Sequence, residues 1–127
     1  MVKVRILGLI LLTQLPLTTH AALKSPIECY VFINSSVTEQ RELFFKFNEE
    51  FYLSRTLQRN AKVNFIDISN QTLPNHYTIP LINDSQGIWV RKFKPQTLPT
   101  LFLINKDQSL QRVVSTTAEI RQCLQGK

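Results

Sequence analysis

Leu98-Pro99-Thr100-Leu101-Phe102-Leu103-Ile104 is the stretch on which the fold turns. A proline opens it, and an unbroken apolar run follows. Proline lacks an N–H, so it belongs at a strand's first step or edge rather than inside a sheet. Thr100 to Asn105 therefore reads as a strand. Lys106-Asp107-Gln108 is a turn, and Ser109 to Val114 is a second strand, giving a hairpin. Thr116-Thr117-Ala118-Glu119 is a capping box that opens a final helix to about Leu124.

Upstream, residues 27–34 hold Tyr30-Val31-Phe32-Ile33 and read as a strand buried on both faces. Ser36-Val37-Thr38-Glu39 fits a capping box, with a helix running from it to about Arg59. Leu43, Phe44, Phe47 and Phe51 fall on one stripe of that helix, and Phe45 and Tyr52 widen it. Residues 62–68 form a second strand, parallel to the first because a long helix joins the two. Residues 69–84, with Pro74 and Pro80, read as a loop, and a short helix falls within Asp84 to Lys94. The class is α/β: β-α-β, a linker with some helix, then β-β-α, with a central mixed sheet flanked by helices.

This order resembles the thioredoxin-like fold. Leu98-Pro99-Thr100 and its apolar strand look like that superfamily's cis-proline step, and Phe93 matches an aromatic that often precedes it. The run from Asp84-Ser85-Gln86-Gly87 to Asn105-Lys106-Asp107 is similar to TlpA-type and peroxiredoxin-like members. The resemblance covers about 27–125 and implies a cis Leu98–Pro99 bond. It also implies a groove that receives an extended peptide, made of Ser35, Ser36, Val37 and Gln40 on one side and Thr97, Leu98 and Pro99 on the other.

The family's Cys-x-x-Cys sits between the first strand and first helix, where the helix N-terminus activates a thiolate. Here that place holds Val37-Thr38-Glu39-Gln40. The chain's two cysteines are Cys29 and Cys123. The resemblance puts both at the pole away from the active loop, as a structural staple or as two buried thiols, rather than as a catalytic pair.

The N-terminus carries a basic head with Lys3 and Arg5, an apolar stretch from Ile6 to Leu17, and Thr19-His20-Ala21. These are the three parts of a secretory signal cut after Ala21. The apolar run is short for a spanning helix and holds Gln14 and Pro16. The expectation is a signal peptide over 1–21, a single domain over 22–127, export to the periplasm or beyond the cell, and no stable membrane insertion after cleavage. Export would let a disulfide persist.

The formal charge of +6 falls to +4 once Lys3 and Arg5 are removed, and no nucleic-acid motif accompanies it. Gly87 stands alone in the middle of the domain, which excludes a glycine-rich phosphate loop. With His76 the single histidine after Ala21, no metal site or cofactor is expected. Asp67 and Asp84 have no motif around them to make a carboxylate pair.

The expected function is binding rather than reaction: an exported protein that holds an extended segment of a partner in envelope, pilus or secretion-system assembly. The Ser-rich turn Phe32-Ile33-Asn34-Ser35-Ser36 resembles TrbC-type proteins of conjugative pilus assembly, although Val37-Thr38 replaces their Met-Pro. The alternatives are a thiol-disulfide oxidoreductase using Cys29 and Cys123, and a factor secreted outside the cell.

Overall fold

The computed structural model describes residues 27–60, 62–73, 76–106 and 109–125. The predicted signal segment 1–21 lies outside the described residues, as do Asp107 and Gln108 of the hairpin turn.

Five strands form one mixed sheet: β1 (Glu28–Ile33), β2 (Lys62–Asp67), β3 (Leu81–Asn83), β4 (Thr100–Ile104) and β5 (Ser109–Val113), in the order β3-β2-β1-β4-β5. β1 and β2 are parallel, as are β2 and β3, while β4 is antiparallel to both β1 and β5. The helices are α1 (Thr38–Leu53), α2 (Arg55–Asn60), α3 (Ile88–Phe93) and α4 (Thr117–Leu124). This is a thioredoxin-like α/β arrangement.

β1 is the central strand, so its residues must be apolar on both faces. On one face Val31 and Ile33 join Phe65, Leu101 and Leu103 beneath Leu43, Phe44 and Phe47 of α1 and Ile120 and Leu124 of α4. Phe44 meets Phe65 edge-on with ring centroids 4.9 Å apart, a geometry worth about 0.5–1.5 kcal/mol beyond its buried area. On the other face Phe32, Ile66 and Phe102 pack against Trp89, Val90 and Phe93 of the two-turn α3.

Three expectations are corrected. The helix drawn to Arg59 breaks at Ser54, whose N–H donates to the Phe51 carbonyl (3.2 Å) and whose Oγ accepts from Leu57 N (3.2 Å). One serine thus ends α1 and opens α2. The loop read over 69–84 contains β3, a three-residue edge strand held by its register with Phe65, Ile66 and Asp67. The capping box at Ser36 does not form: α1 is capped at Val37, with no side-chain hydrogen bond. The box at Thr116 and Glu119 is present in full.

Candidate functional site at the cis-proline pole

β1 and β2 run parallel and end together, with Ile33 opposite Asp67. β4 starts at the same end, since Phe32 pairs with Thr100. The turn after β1 and the step into β4 therefore share one pole, beyond the carboxyl ends of the parallel strands, where ligands of open α/β sheets collect.

The turn after β1 is built by Asn34. Its Oδ1 accepts from Ser36 N (2.9 Å), and its carbonyl accepts from Val37 N (3.0 Å). Gln40 reaches back, its Oε1 accepting from Asn34 N (2.7 Å). This local bonding explains the lost cap: the turn engages the Ser36 N–H, and the helix begins one residue later. Val37 is 37 % exposed at the helix start, where the resemblance places the family's attacking sulfur.

Ser35, placed in the groove by the family resemblance, is instead fully buried. It points into the fold, where Asp67 accepts from Ser35 N (3.0 Å) and Ser35 Oγ (2.5 Å). Asp67 also accepts from Ser69 N (3.0 Å) and Ser69 Oγ (3.1 Å), and the two hydroxyls lie 2.7 Å apart. A buried carboxylate needs such donors to offset its lost hydration. Arg41 Nη1 closes the other side by donating to the Ser35 carbonyl (2.8 Å). Ser36 stays exposed and accepts from Gln71 Nε2 (3.3 Å), while the Gln71 carbonyl accepts from Asn83 Nδ2 (2.9 Å).

The loop into β4 reaches the same pole. Leu98–Pro99 is cis. Leu98 leans on the Phe32 cluster, and Thr97 is exposed. The Pro99 carbonyl accepts from Val114 N (3.1 Å), and buried Thr100 donates through Oγ1 to the Arg112 carbonyl (3.1 Å). These bonds tie the loop to β5.

Sequence reading does not find Asp67, Ser69, Arg41 and Gln71 as supports of this turn. The Asp67-x-Ser69 spacing, an Asx-type turn, is the local signal that points to two of them. Asp84 is no partner carboxylate for Asp67: its side chain accepts from Trp89 N (3.1 Å) and Val90 N (2.9 Å) and so opens α3.

Cys29 and Cys123 are joined in a disulfide, with Cα atoms 6.4 Å apart and both residues fully buried. Cys29 stands near the start of β1 and Cys123 near the end of α4, so the bridge lies at the pole opposite Val37. Among the described residues no helix is long and apolar enough to cross a membrane.

No family model and no curated relative matches the chain. Solved structures do. The exposed lipoprotein thioredoxin Etrx1 of Streptococcus pneumoniae matches with a TM-score of 0.60 at 13 % identity, covering 84 % of this chain and 89 % of that one. A putative thiol:disulfide interchange protein DsbE of Chlorobium tepidum gives 0.58 at 18 %, covering 81 % and 80 %. StoA of Bacillus subtilis gives 0.55 at 17 %, covering 81 % and 85 %. At these identities the likeness concerns the fold.

Proposed function

We propose that the chain is an exported thioredoxin-fold protein that binds an extended segment of a partner without dithiol chemistry. The supporting observation is the division between the two poles. The turn at Val37 and the Leu98–Pro99 step lie at one pole, and neither holds a cysteine. Both cysteines are buried in a bridge at the opposite end. Exchange requires a partner's thiolate to reach a sulfur, and full burial opposes that. This weighs against the oxidoreductase reading that the names of DsbE-like neighbours suggest.

Export to the periplasm and a role in assembling envelope or secretion machinery belong to the same proposal. The signal-like residues 1–21 carry the first, and the Ser-rich turn before Val37 carries the narrower reading of TrbC-type pilus assembly. The partner is a protein segment, held by backbone hydrogen bonds that Pro99, having no N–H, leaves open beside it.

The test is capture of partners from the producing cell by the wild-type chain, by Val37→Asp and by Thr97→Arg, with insulin reduction measured alongside. Both substitutions fall on exposed positions, so each should weaken capture with the fold intact. Undiminished capture by both would remove this pole as the binding site. Insulin reduction by the wild type that vanishes in Cys29→Ala/Cys123→Ala would establish a thiol enzyme instead.

A further inference from the structure

β5 is an outer strand of the sheet, paired with β4 on one side and with no described strand on the other. Two bonds fix the direction of its backbone. Val114 N donates to the Pro99 carbonyl (3.1 Å), and the Arg112 carbonyl accepts from Thr100 Oγ1 (3.1 Å), so residues 112 and 114 turn their polar groups toward β4. Successive residues of an antiparallel strand alternate in this respect. Ser109, Gln111 and Val113 therefore present their N–H and C=O groups outward, as a template for another strand. Edges are commonly blunted by proline, lysine or a bulge. Ser109-Leu110-Gln111-Arg112-Val113 holds neither proline nor lysine and keeps unbroken register with β4.

The side chains divide by the same register. Gln111 pairs with Phe102, so Ser109, Gln111 and Val113 share the sheet face that α3 covers in part. Leu110 and Arg112, opposite Leu103 and Leu101, share the face of α1 and α4. On the α3 face lies a cleft of about 390 Å³, with Tyr30, Phe93, Phe102 and Ile104 in its lining and Ser109 at its β5 side. At the other end of the same strand Val113 is 59 % exposed. The edge thus carries an apolar knob at one end and a small residue beside an apolar cleft at the other, on one face.

We infer that β5 is the interface of a two-fold dimer, in which the β5 strands of two copies pair antiparallel about Gln111. This register alone pairs the strand along its whole length. It brings the outward groups together: Ser109 opposite the second copy's Val113, and Gln111 opposite the second copy's Gln111, each pair exchanging both backbone bonds. It sets the Val113 side chain of each copy beside Ser109 of the other, at the mouth of the cleft. It also sets Arg112 opposite the second copy's Leu110. With the axis moved one residue, to Arg112, the two arginines would face each other, and like charges directly opposite are destabilising. A two-fold contact requires one patch that complements itself. This strand does so in hydrogen bonds, shape and charge, which favours a second copy over an unrelated segment. The inference does not rest on the groove reading. Because the paired strands run in opposite directions, the two groove poles would point to opposite ends of the dimer.

The test is sedimentation equilibrium of the chain as recovered from the producing cell, over a range of concentrations. The wild type should show a reversible monomer–dimer equilibrium. Gln111→Pro removes an outward N–H and no bond to β4. It should raise the dissociation constant at least about tenfold with the far-ultraviolet spectrum kept. Val113→Glu withdraws the knob from the cleft and should also weaken the dimer, which covers the case in which proline disturbs the strand. The register is read at Leu110, itself 47 % exposed. Leu110→Glu would face the second copy's Arg112 and should hold the dimer at least as tightly as the wild type, whereas Leu110→Lys should loosen it severalfold. A wild type that stays monomeric at the highest concentration overturns the inference and leaves the edge to some other segment. So does a dimer unmoved by both Gln111→Pro and Val113→Glu, or equal loosening by Leu110→Glu and Leu110→Lys.

Discussion

The Ser35 hydroxyl lies 2.5 Å from the Asp67 carboxylate, and both side chains are buried. The pair joins the turn after β1 to the end of β2 across 32 residues of sequence. The turn that presents Val37 is therefore anchored from beneath, and its outward shape depends on a bond that never meets solvent.

Ser35→Ala removes one hydroxyl donor from Asp67 and leaves that buried oxygen short of a partner. The expected cost is about 1–3 kcal/mol of stability, read as a lower midpoint in chemical denaturation. The amides of Ser35 and Ser69 should also exchange faster. A change under about 0.5 kcal/mol, typical of an uninvolved surface site, would mean that Ser69 and the Ser35 amide together satisfy the carboxylate.

The Cys29–Cys123 bridge spans 94 residues. The chain-entropy model assigns about 4–5 kcal/mol to a loop of that size. That is a large share of a small domain's net stability. The Cys29→Ala/Cys123→Ala chain should unfold at markedly lower denaturant, and reduction of the folded wild type should be slow because both sulfurs are buried. Equal midpoints for the two chains would deny the bridge its stabilising role.

Tyr30 is pushed up to about 12 from 10.0, first by burial and then by its hydrogen bond to Glu28 and the charge there. The neutral phenol is thus favoured in the folded state. Its contribution is complete below pH 10, the unfolded value, and is lost as pH rises through about 12. Alkaline titration of the phenolate absorbance should show a step near the upper value that is absent in Tyr30→Phe. Tyr30→Phe should also flatten the stability profile across that window.

At α4 the Glu119 carboxylate is held below its usual range, chiefly by the Ser115 N–H, with burial opposing and the Thr116 and Ser115 hydroxyls adding to the lowering. A depressed carboxyl contributes above its unfolded pKa and loses that contribution as pH falls through the folded one. Thr116→Ala should cost about 1 kcal/mol as a lost helix cap. Glu119→Gln should remove the acid-side loss attributable to this group. An unchanged acid limb in Glu119→Gln would place that loss elsewhere.

Much of this architecture is legible in sequence because it is local. The β4–β5 hairpin follows from Pro99 and the apolar run behind it, and the start of α4 follows from Thr116 and Glu119. What escapes is set by contacts distant in sequence. β3 is only Leu81–Asn83, and its strand character comes from pairing with Phe65, Ile66 and Asp67. Ser36 has a cap's residue type and spacing, yet Asn34 and Gln40 close the turn first. Ser35 looks like a surface serine until Asp67 is placed beneath it. The place of the turn after β1 and of the cis-proline step is therefore readable in sequence, while the inward or outward aim of each side chain is not.

The bridge also determines how the domain would bear tension. Cys29 stands two residues inside Ile27, where the described chain enters, and Cys123 two residues before Gln125, where it ends. A pull between those ends passes across the sulfurs and bypasses the 94-residue loop between them. The residues outside the two cysteines can lengthen under that pull, and the loop between them cannot. A domain pulled between Ile27 and Gln125 would bear load as a closed ring, with β1 and the last helix drawn together rather than peeled apart.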